Sequence, residues 1–586
     1  MRRIVLLFAL ILSSYGFSQV QLFWRGDSGL DGNWNASTRW WNGSSAQAAD
    51  FGQLNFTNNA YLAATCNGSF NTWRIIVESG ASTTRTTTGT GVVTFYDFSG
   101  AEPVIRNNSS VNHNFNQNFS VGNTSGATRF DRRLELIAAN GDLSFGGTFS
   151  TANVSNVTRS LRLDASSSRS LTLSGQITEV NSSNALVVQK IGAGTANLSG
   201  NNNYSLGVVM DAGVLRAGSN TAFGSGVFEF YGGVVSSTSG SGRTFANNFF
   251  IGGSATFGQS SGGTGDLAIN GTVNLAGGTR TITIANTTTT FSGEVFNGGL
   301  TKAGSGTLVL SGATTYAGAT SVTGGQLSVL KSGYSALITT SGLQVTFDAP
   351  PSLGNYVILP GALSSASTLS TLGLGEGRTA TFNASTGVLT VSETPSVSLS
   401  SDDADNSFCE GTTVTFTATA SSVGGGTVSY DFKVDGVTAQ SGASNVFVTD
   451  ALTDGQEVQV VITVSGGFVT STTASSTVIV HEVIALSTWY LDSDGDGYYT
   501  GEPIVACVSP GSGYVTTVIG GNDCNDSNAA VNPGATEICF DGIDNNCNGS
   551  LYDGCTPVIT TMEAVHQNQV LPNFRTTLRA IVPSYS

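Results

Sequence analysis

Basic side chains are scarce in this chain. Its 586 residues carry 23 Lys and Arg against 39 Asp and Glu, a formal net charge of −16. That balance excludes a nucleic-acid partner and a basic membrane-surface anchor, since both need clustered cations. Charged residues of either sign make up only 11%. Histidine occurs three times, and the seven cysteines form no Cys-x-x-Cys pair. This leaves little material for a zinc or other thiophilic site. No helical periodicity runs through residues 70–390. No apolar run beyond the first residues is long enough to span a bilayer, so no transmembrane segment is expected in the mature chain.

Small residues and short apolar alternations fill the rest. Glycine accounts for 75 residues, while 39% of the chain is hydrophobic. Pairs of apolar residues at i and i+2, as in Leu161-Arg-Leu163, Leu171-Thr-Leu173 and Ile282-Thr-Ile284, put both side chains on one face of a strand. The profile is all-β with many tight turns, and the length calls for several domains. At the start, Arg2 and Arg3 precede the apolar stretch Ile4–Leu12. Gly16 and Ser18 are small residues at −3 and −1 of a cut before Gln19. Residues 1–18 therefore read as a secretory signal, and export permits disulfides.

An internal repeat has an offset of 112 residues. Lys190-Ile-Gly-Ala-Gly-Thr195-Ala-Asn-Leu198-Ser-Gly200 aligns with Lys302-Ala-Gly-Ser-Gly-Thr307-Leu-Val-Leu310-Ser-Gly312. The register continues through Tyr204 and Tyr316, Gly213 and Gly325, and Leu215 and Leu327. Strands of about four residues cannot form a core alone, but stacked coils of roughly 20–25 residues bury a continuous apolar column. Such coils would put about five rungs between the copies. Segments 188–217 and 300–329 resemble the autotransporter-associated β-strand repeat, also called the passenger-associated transport repeat. The resemblance implies a right-handed parallel β-helix, expected over residues 19–392, in a surface or secreted protein of a Gram-negative bacterium. Trp24, Trp34, Trp40 and Trp41 are expected to cap the first rung, with a sugar-stacking platform as the alternative.

Residues 393–482 alternate strongly, as in Thr413-Val-Thr-Phe-Thr-Ala-Thr419, with turn signals at Asp435-Gly436 and Asp454-Gly455. They predict a sandwich of about seven strands. The stretch from Ser401 to Thr412 resembles bacterial surface Ig-like repeats, which implies a spacer. The tail, 556–586, has no assignable pattern and no aromatic-rich barrel strands.

Between Lys433 and Arg575 there is no lysine or arginine, yet residues 488–555 hold ten acids and five cysteines. Two carboxylates about 5 Å apart repel by roughly 3 kcal/mol at an effective dielectric near 20, so a bound cation is the simplest neutraliser. Asp492, Asp494 and Asp496, followed by Gly497, occupy alternate positions of a loop. Hard oxygen donors at that spacing favour calcium. Pro503 at the twelfth position excludes an EF-hand. The block 483–555, with Asn522-Asp-Cys-Asn-Asp and Asp541-Gly-Ile-Asp-Asn-Asn-Cys-Asn-Gly549, resembles a bacterial family of metal-binding repeats. The resemblance implies Asp523, Asp526, Asp541 and Asp544 as further oxygen donors, with Asn525, Asn545 and Asn546 as carbonyl donors. Four cysteines are expected to bridge as Cys507 with Cys524 and Cys539 with Cys547. Cys555 is then left to reach Cys409 or to stay free.

No catalytic constellation emerges. Asp131, Asp142, Asp164, Asp211 and Asp266 are scattered, and His113 stands alone in the helix region. Gly258-x-Ser260-x-Gly262 matches a nucleophile-elbow spacing, without the strand-to-helix context that motif needs. Arg25-Gly26-Asp27 is a tripeptide of common residues. The expectation is an exported, adhesive or structural, non-catalytic modular protein that contacts glycans or other surface proteins. A polysaccharide lyase or glycosidase on the β-helix is the alternative.

Overall fold

A computed structural model of the chain describes residues 69–96, 102–122, 133–152, 158–364 and 368–555, with five short strands between 21 and 65. The expected signal at 1–18, Arg25-Gly26-Asp27, Trp34, Asp131 and the tail 556–586 lie outside the described residues, as do the side chains of Trp24, Trp40 and Trp41. Among the described residues no helix is long and apolar enough to cross a membrane.

The first compact unit closes at Val391 and is a parallel β-solenoid. Strands of three to six residues alternate buried and half-buried positions, as in Arg133–Ala138 and Ser170–Leu173. Each rung pairs in parallel with the next. One apolar column therefore runs through Leu134, Leu161, Val188, Val208, Phe228, Phe249, Val273 and Val295. Every member is buried, and each such side chain contributes roughly 1.5–3 kcal/mol relative to exposure. Two sheets, of 17 and 12 strands, form the first stretch. A third, of eight strands, opens at Arg243–Phe245.

The two repeat copies build the same corner on different faces. In the first copy, Leu186–Ile191 belongs to the 17-stranded sheet and Thr195–Leu198 to the 12-stranded one. In the second copy, Gly299–Ala303 belongs to the 12-stranded sheet and Thr307–Leu310 to the eight-stranded one. Five pairing steps carry Val188 to Val295, and the second copy begins one strand later. Each copy spans two successive rungs of one corner: Leu186–Ile191 pairs with Val208–Met210 and Thr195–Leu198 with Val214–Ala217, and the second copy repeats the pattern.

Its shared residues are structural. Lys190 and Lys302 are wholly buried. The Lys302 ammonium donates to the carbonyls of Ala303, Gly304 and Gly324 at 2.9–3.0 Å. Lys190 does the same toward Ile191, Gly192 and Ala212. Burial pushes both amines down to about 8. Gly213 and Gly325 follow at φ +74° and +62°, where a side chain would be strained. Tyr204 and Tyr316 are buried and spend their hydroxyls on Ala222 O and Thr320 Oγ1.

The second unit opens at Ser392. A three-stranded antiparallel sheet (Ser396–Ser401, Val414–Ser421, Val446–Thr449) and a five-stranded one around Thr427–Val434 and Glu457–Ser465 share one core. Phe416 and Phe447 from one sheet meet Phe432, Val460 and Ile462 from the other. Beyond them, Ser487–Leu491 and Tyr498–Ala506 form a hairpin. Its buried core has four residues, Leu491, Ile504, Ala506 and Tyr514. So small a core needs cross-links or bound ions.

The bridges correct the expected pairing. Cys409 joins Cys507, Cys524 joins Cys547, and Cys539 joins Cys555, with Cα separations of 5.4, 5.5 and 5.7 Å. All four candidate cysteines are bridged, but none to the expected partner. The strand Ser407–Cys409 pairs in parallel with Glu482–Ile484, which carries Cys409 to the entrance of the hairpin and so to Cys507. Cys524 is drawn instead toward the far loop, where its N–H also meets Cys547 Sγ at 3.0 Å.

Candidate metal centre

The hairpin turn is the Asp492–Gly497 loop itself. Asp492 accepts the N–H groups of Gly495 and Asp496 on Oδ1 and of Gly497 on Oδ2, at 2.8–3.0 Å. These bonds wrap the backbone around one carboxylate, and Gly495 and Gly497 supply φ values of +80° and +94°. Asp496 caps Tyr498 N at 2.8 Å. The second segment arrives through Asp523, whose Oδ1 accepts Asn525 N at 2.8 Å, and through Asp526, held by both the N–H and the hydroxyl of Ser493.

Five carboxylates therefore converge. Asp492, Asp494 and Asp526 form one set, and Asp494, Asp496 and Asp523 another; within each set the candidate ligand oxygens lie within 4.8 Å of one another. Asp492, Asp523 and Asp526 are buried. Both oxygens of Asp494, Oδ2 of Asp496 and Oδ2 of Asp523 are buried without a hydrogen-bond partner. Buried unpaired carboxylate oxygens are costly unless a cation meets them. Burial above all, with the charges of Asp496, Asp494 and Asp526, pushes Asp523 up to about 7. Burial and the charges of Asp494 and Asp492 push Asp526 to about 6. Among the described residues of this unit no lysine or arginine follows Lys433.

The donor set fits a hard divalent cation. The residues that would hold it are these five aspartates, all through oxygen. A third group, Asp523 with Cys524 and Cys547, offers no thiolate, because the two sulfurs are bonded to each other. No histidine lies between residues 482 and 555. A soft or borderline metal thus lacks its usual ligands here.

The other expected donors sit elsewhere. Asp541 Oδ1 caps Ile543 N, and Asp544 accepts Asn548 N and Gly549 N. Asn545 Oδ1 accepts Ile538 N, and Asn525 Oδ1 accepts Ser527 Oγ. Among the described residues neither Asp541 nor Asp544 joins a three-carboxylate group. Asn546 Oδ1 is buried and unpartnered, as is Oε1 of Glu537, whose Oε2 holds the N–H groups of Asn545 and Asn546. Sequence reasoning left Glu537 out of the donor set. Its place two residues before Cys539 carries no spacing signal.

On the solenoid, His113 is buried. Its Nε2 shares a hydrogen bond of 3.0 Å with Ser109 Oγ, and burial with the nearby Arg85 charge pushes it down to about 4. A buried imidazole so placed packs the core. A cavity of about 580 Å³ lies between the loop carrying Gln259 and Ser260 and the turns of Asn286, Ser305 and Gln326. Its lining has no charged and no aromatic residue. Arg216 Nε and Ser236 Oγ fix the loop by donating to Gln259 Oε1 at 2.9 and 3.1 Å.

Comparison with known proteins bears on the solenoid and on the segment that carries Asp523 and Asp526. Residues 188–217 and 300–329 match the family model Passenger-associated-transport-repeat. Residues 523–551 match a model described as "Putative metal-binding motif", whose short title names copper. The chain is 33% identical over 221 residues to the Adhesin BmaC autotransporter of Brucella suis biovar 1 (strain 1330). That stretch is 36% of this chain and 6% of that protein. No solved structure gives a significant match. In its repeats this chain is similar to autotransporter passengers, and in residues 523–551 to a metal-binding motif.

Proposed function

We propose that this chain is an exported, non-catalytic, adhesive passenger of a Gram-negative surface, stabilised by calcium at its carboxy-terminal module. The observation that carries the reading is that the passenger-repeat residues build the solenoid corners: Lys190, Tyr204, Lys302 and Tyr316 are buried in them, and Gly213 and Gly325 supply their positive-φ turns. They build a long scaffold, and similarity to an autotransporter adhesin supports an adhesive use of it. The hand is right-handed, as parallel crossovers favour. The two sheets of residues 396–484 act as an Ig-like spacer. Residues 1–18 direct export.

The 580 Å³ groove is the surface we assign to ligand. Amides and hydroxyls without charge suit a neutral glycan, bound through its own hydroxyls. A glycosidase needs two carboxylates across one groove, and the groove lining has none. The oxygen-only donors and disulfide-bonded sulfurs favour calcium over copper.

The test incubates the purified mature chain with host cells and with a panel of neutral polysaccharides. Retention without release of reducing ends or unsaturated sugars is expected. Gln326→Ala and Thr287→Ala are expected to weaken retention several-fold. Release of new ends would establish the enzyme reading instead, and retention indifferent to both substitutions would move the ligand off this groove.

A further inference from the structure

The five aspartates are arranged as two overlapping sets rather than one ring. Asp492, Asp494 and Asp526 make the first; Asp494, Asp496 and Asp523 make the second. Asp494 is the residue common to both. We propose that the module holds two divalent cations of the calcium type, one in each set, with Asp494 shared between them.

Three observations carry this. The first is distance. Two oxygens on one calcium at roughly 2.4 Å can be no more than about 4.8 Å apart. Each set meets that limit separately, and no described group joins all five acids. The second is partnering. Both oxygens of Asp494 are buried without a hydrogen bond, although the N–H groups of Asp496 and Asn528 lie near. One oxygen can face each ion. Asp523 is 5% exposed, and its Oδ2, also unpartnered, faces the second set. The third is charge. Five carboxylates carry a formal charge of −5, and Lys433 is the last described cation of the chain before them. One divalent ion leaves −3 among buried groups, and two leave −1.

The sets are prepared differently. Asp492 and Asp526 already accept backbone and Ser493 hydrogen bonds, so their positions are set before any ion arrives. Asp496 Oδ2 and Asp523 Oδ2 accept nothing. The Asp494, Asp496 and Asp523 set therefore gains more from its ion and is expected to fill first.

The proposal rests on the calcium reading above, and its test separates the two. Calcium bound per full-length chain is measured by equilibrium dialysis after stripping with chelator, alongside a variant in which all five aspartates are asparagine. Wild type is expected to hold two more ions than that variant. Asp496→Asn and Asp526→Asn should each hold one fewer than wild type, and Asp494→Asn two fewer. A difference of one ion overturns the shared pair and keeps a calcium module. No difference overturns the calcium reading itself. Two ions that survive Asp494→Asn overturn the sharing. Lanthanide-soaked crystals of the wild-type chain give a check that needs no variant: two anomalous peaks about 4 Å apart are expected, and one peak overturns the proposal.

Discussion

Ser493 holds Asp526 twice across 33 residues of sequence, through its N–H at 2.9 Å and its hydroxyl at 2.7 Å. The bond ties the hairpin loop to the following segment and aims a buried carboxylate at Asp492 and Asp494. Ser493→Ala removes the hydroxyl bond to a charged acceptor, worth about 1.5 kcal/mol. Calcium affinity should fall about tenfold with the disulfides intact. Isothermal titration of the two chains checks it, and equal affinities would mean that Asp526 is placed by other contacts.

Lys302→Met should loosen the second repeat corner. The methylene stem is kept, but the carbonyls of Ala303, Gly304 and Gly324 lose their common donor. Buried acceptors left unpaired cost about 1–3 kcal/mol each, so a loss of roughly 3 kcal/mol or more is expected. Faster amide exchange in Gly299–Ala303 and Thr320–Val322 would report it. Lys190→Met should act alike on its own corner.

Gly293→Ala probes the solenoid turn. A Cβ there would lie 2.1 Å from Gly271 O, and one at Gly312 would lie 2.1 Å from Gly293 O. Backbone meets backbone in this column, so no side chain can move aside. A loss of roughly 1–3 kcal/mol is expected, seen as a lower thermal midpoint. Gly333→Ala is an unsuitable control despite open space, because φ there is +88°.

The sheet pair of residues 396–484 should weaken in acid. His481 is buried against Phe408 and Phe416, and neither ring nitrogen has a partner. Burial lowers its affinity for protons, while the carboxylate of Asp403 opposes that shift. Asp403 itself is raised by burial and by Asp405, with Asp402 adding to its side. A histidine depressed in the folded state contributes stability above its unfolded value near 6.5. That contribution is lost as pH falls below it. Denaturant midpoints should drop between pH 7 and pH 5. His481→Phe should flatten that window, and an unchanged slope would exclude His481 as the cause.

The solenoid was legible because its signal is local. Alternation at i and i+2 turns Leu161 and Leu163 inward whatever their neighbours do. Lys190 and Lys302 could be matched by eye because each corner is one continuous segment. The Asp492–Gly497 loop was legible for the same reason, since its carboxylates lie two residues apart. Asp541 and Asp544 looked equivalent in sequence, yet their oxygens cap their own turns. A carboxylate two to five residues from a free N–H can serve a turn or an ion, and spacing does not say which.

By itself, then, the chain's sequence determined what contiguous segments do: strands with an apolar face, a strand–turn–strand unit that recurs after 112 residues, an acidic loop with carboxylates at alternate positions. Tertiary structure alone decided which segments meet. It set the two repeat copies on different sheets, paired Cys409 with Cys507 across 98 residues, and brought Asp523 and Asp526 to the loop. The reason is physical. Backbone preference and hydrophobic alternation act over a few residues, whereas chain crossings are settled by which distant surfaces bury together, and no local pattern records that.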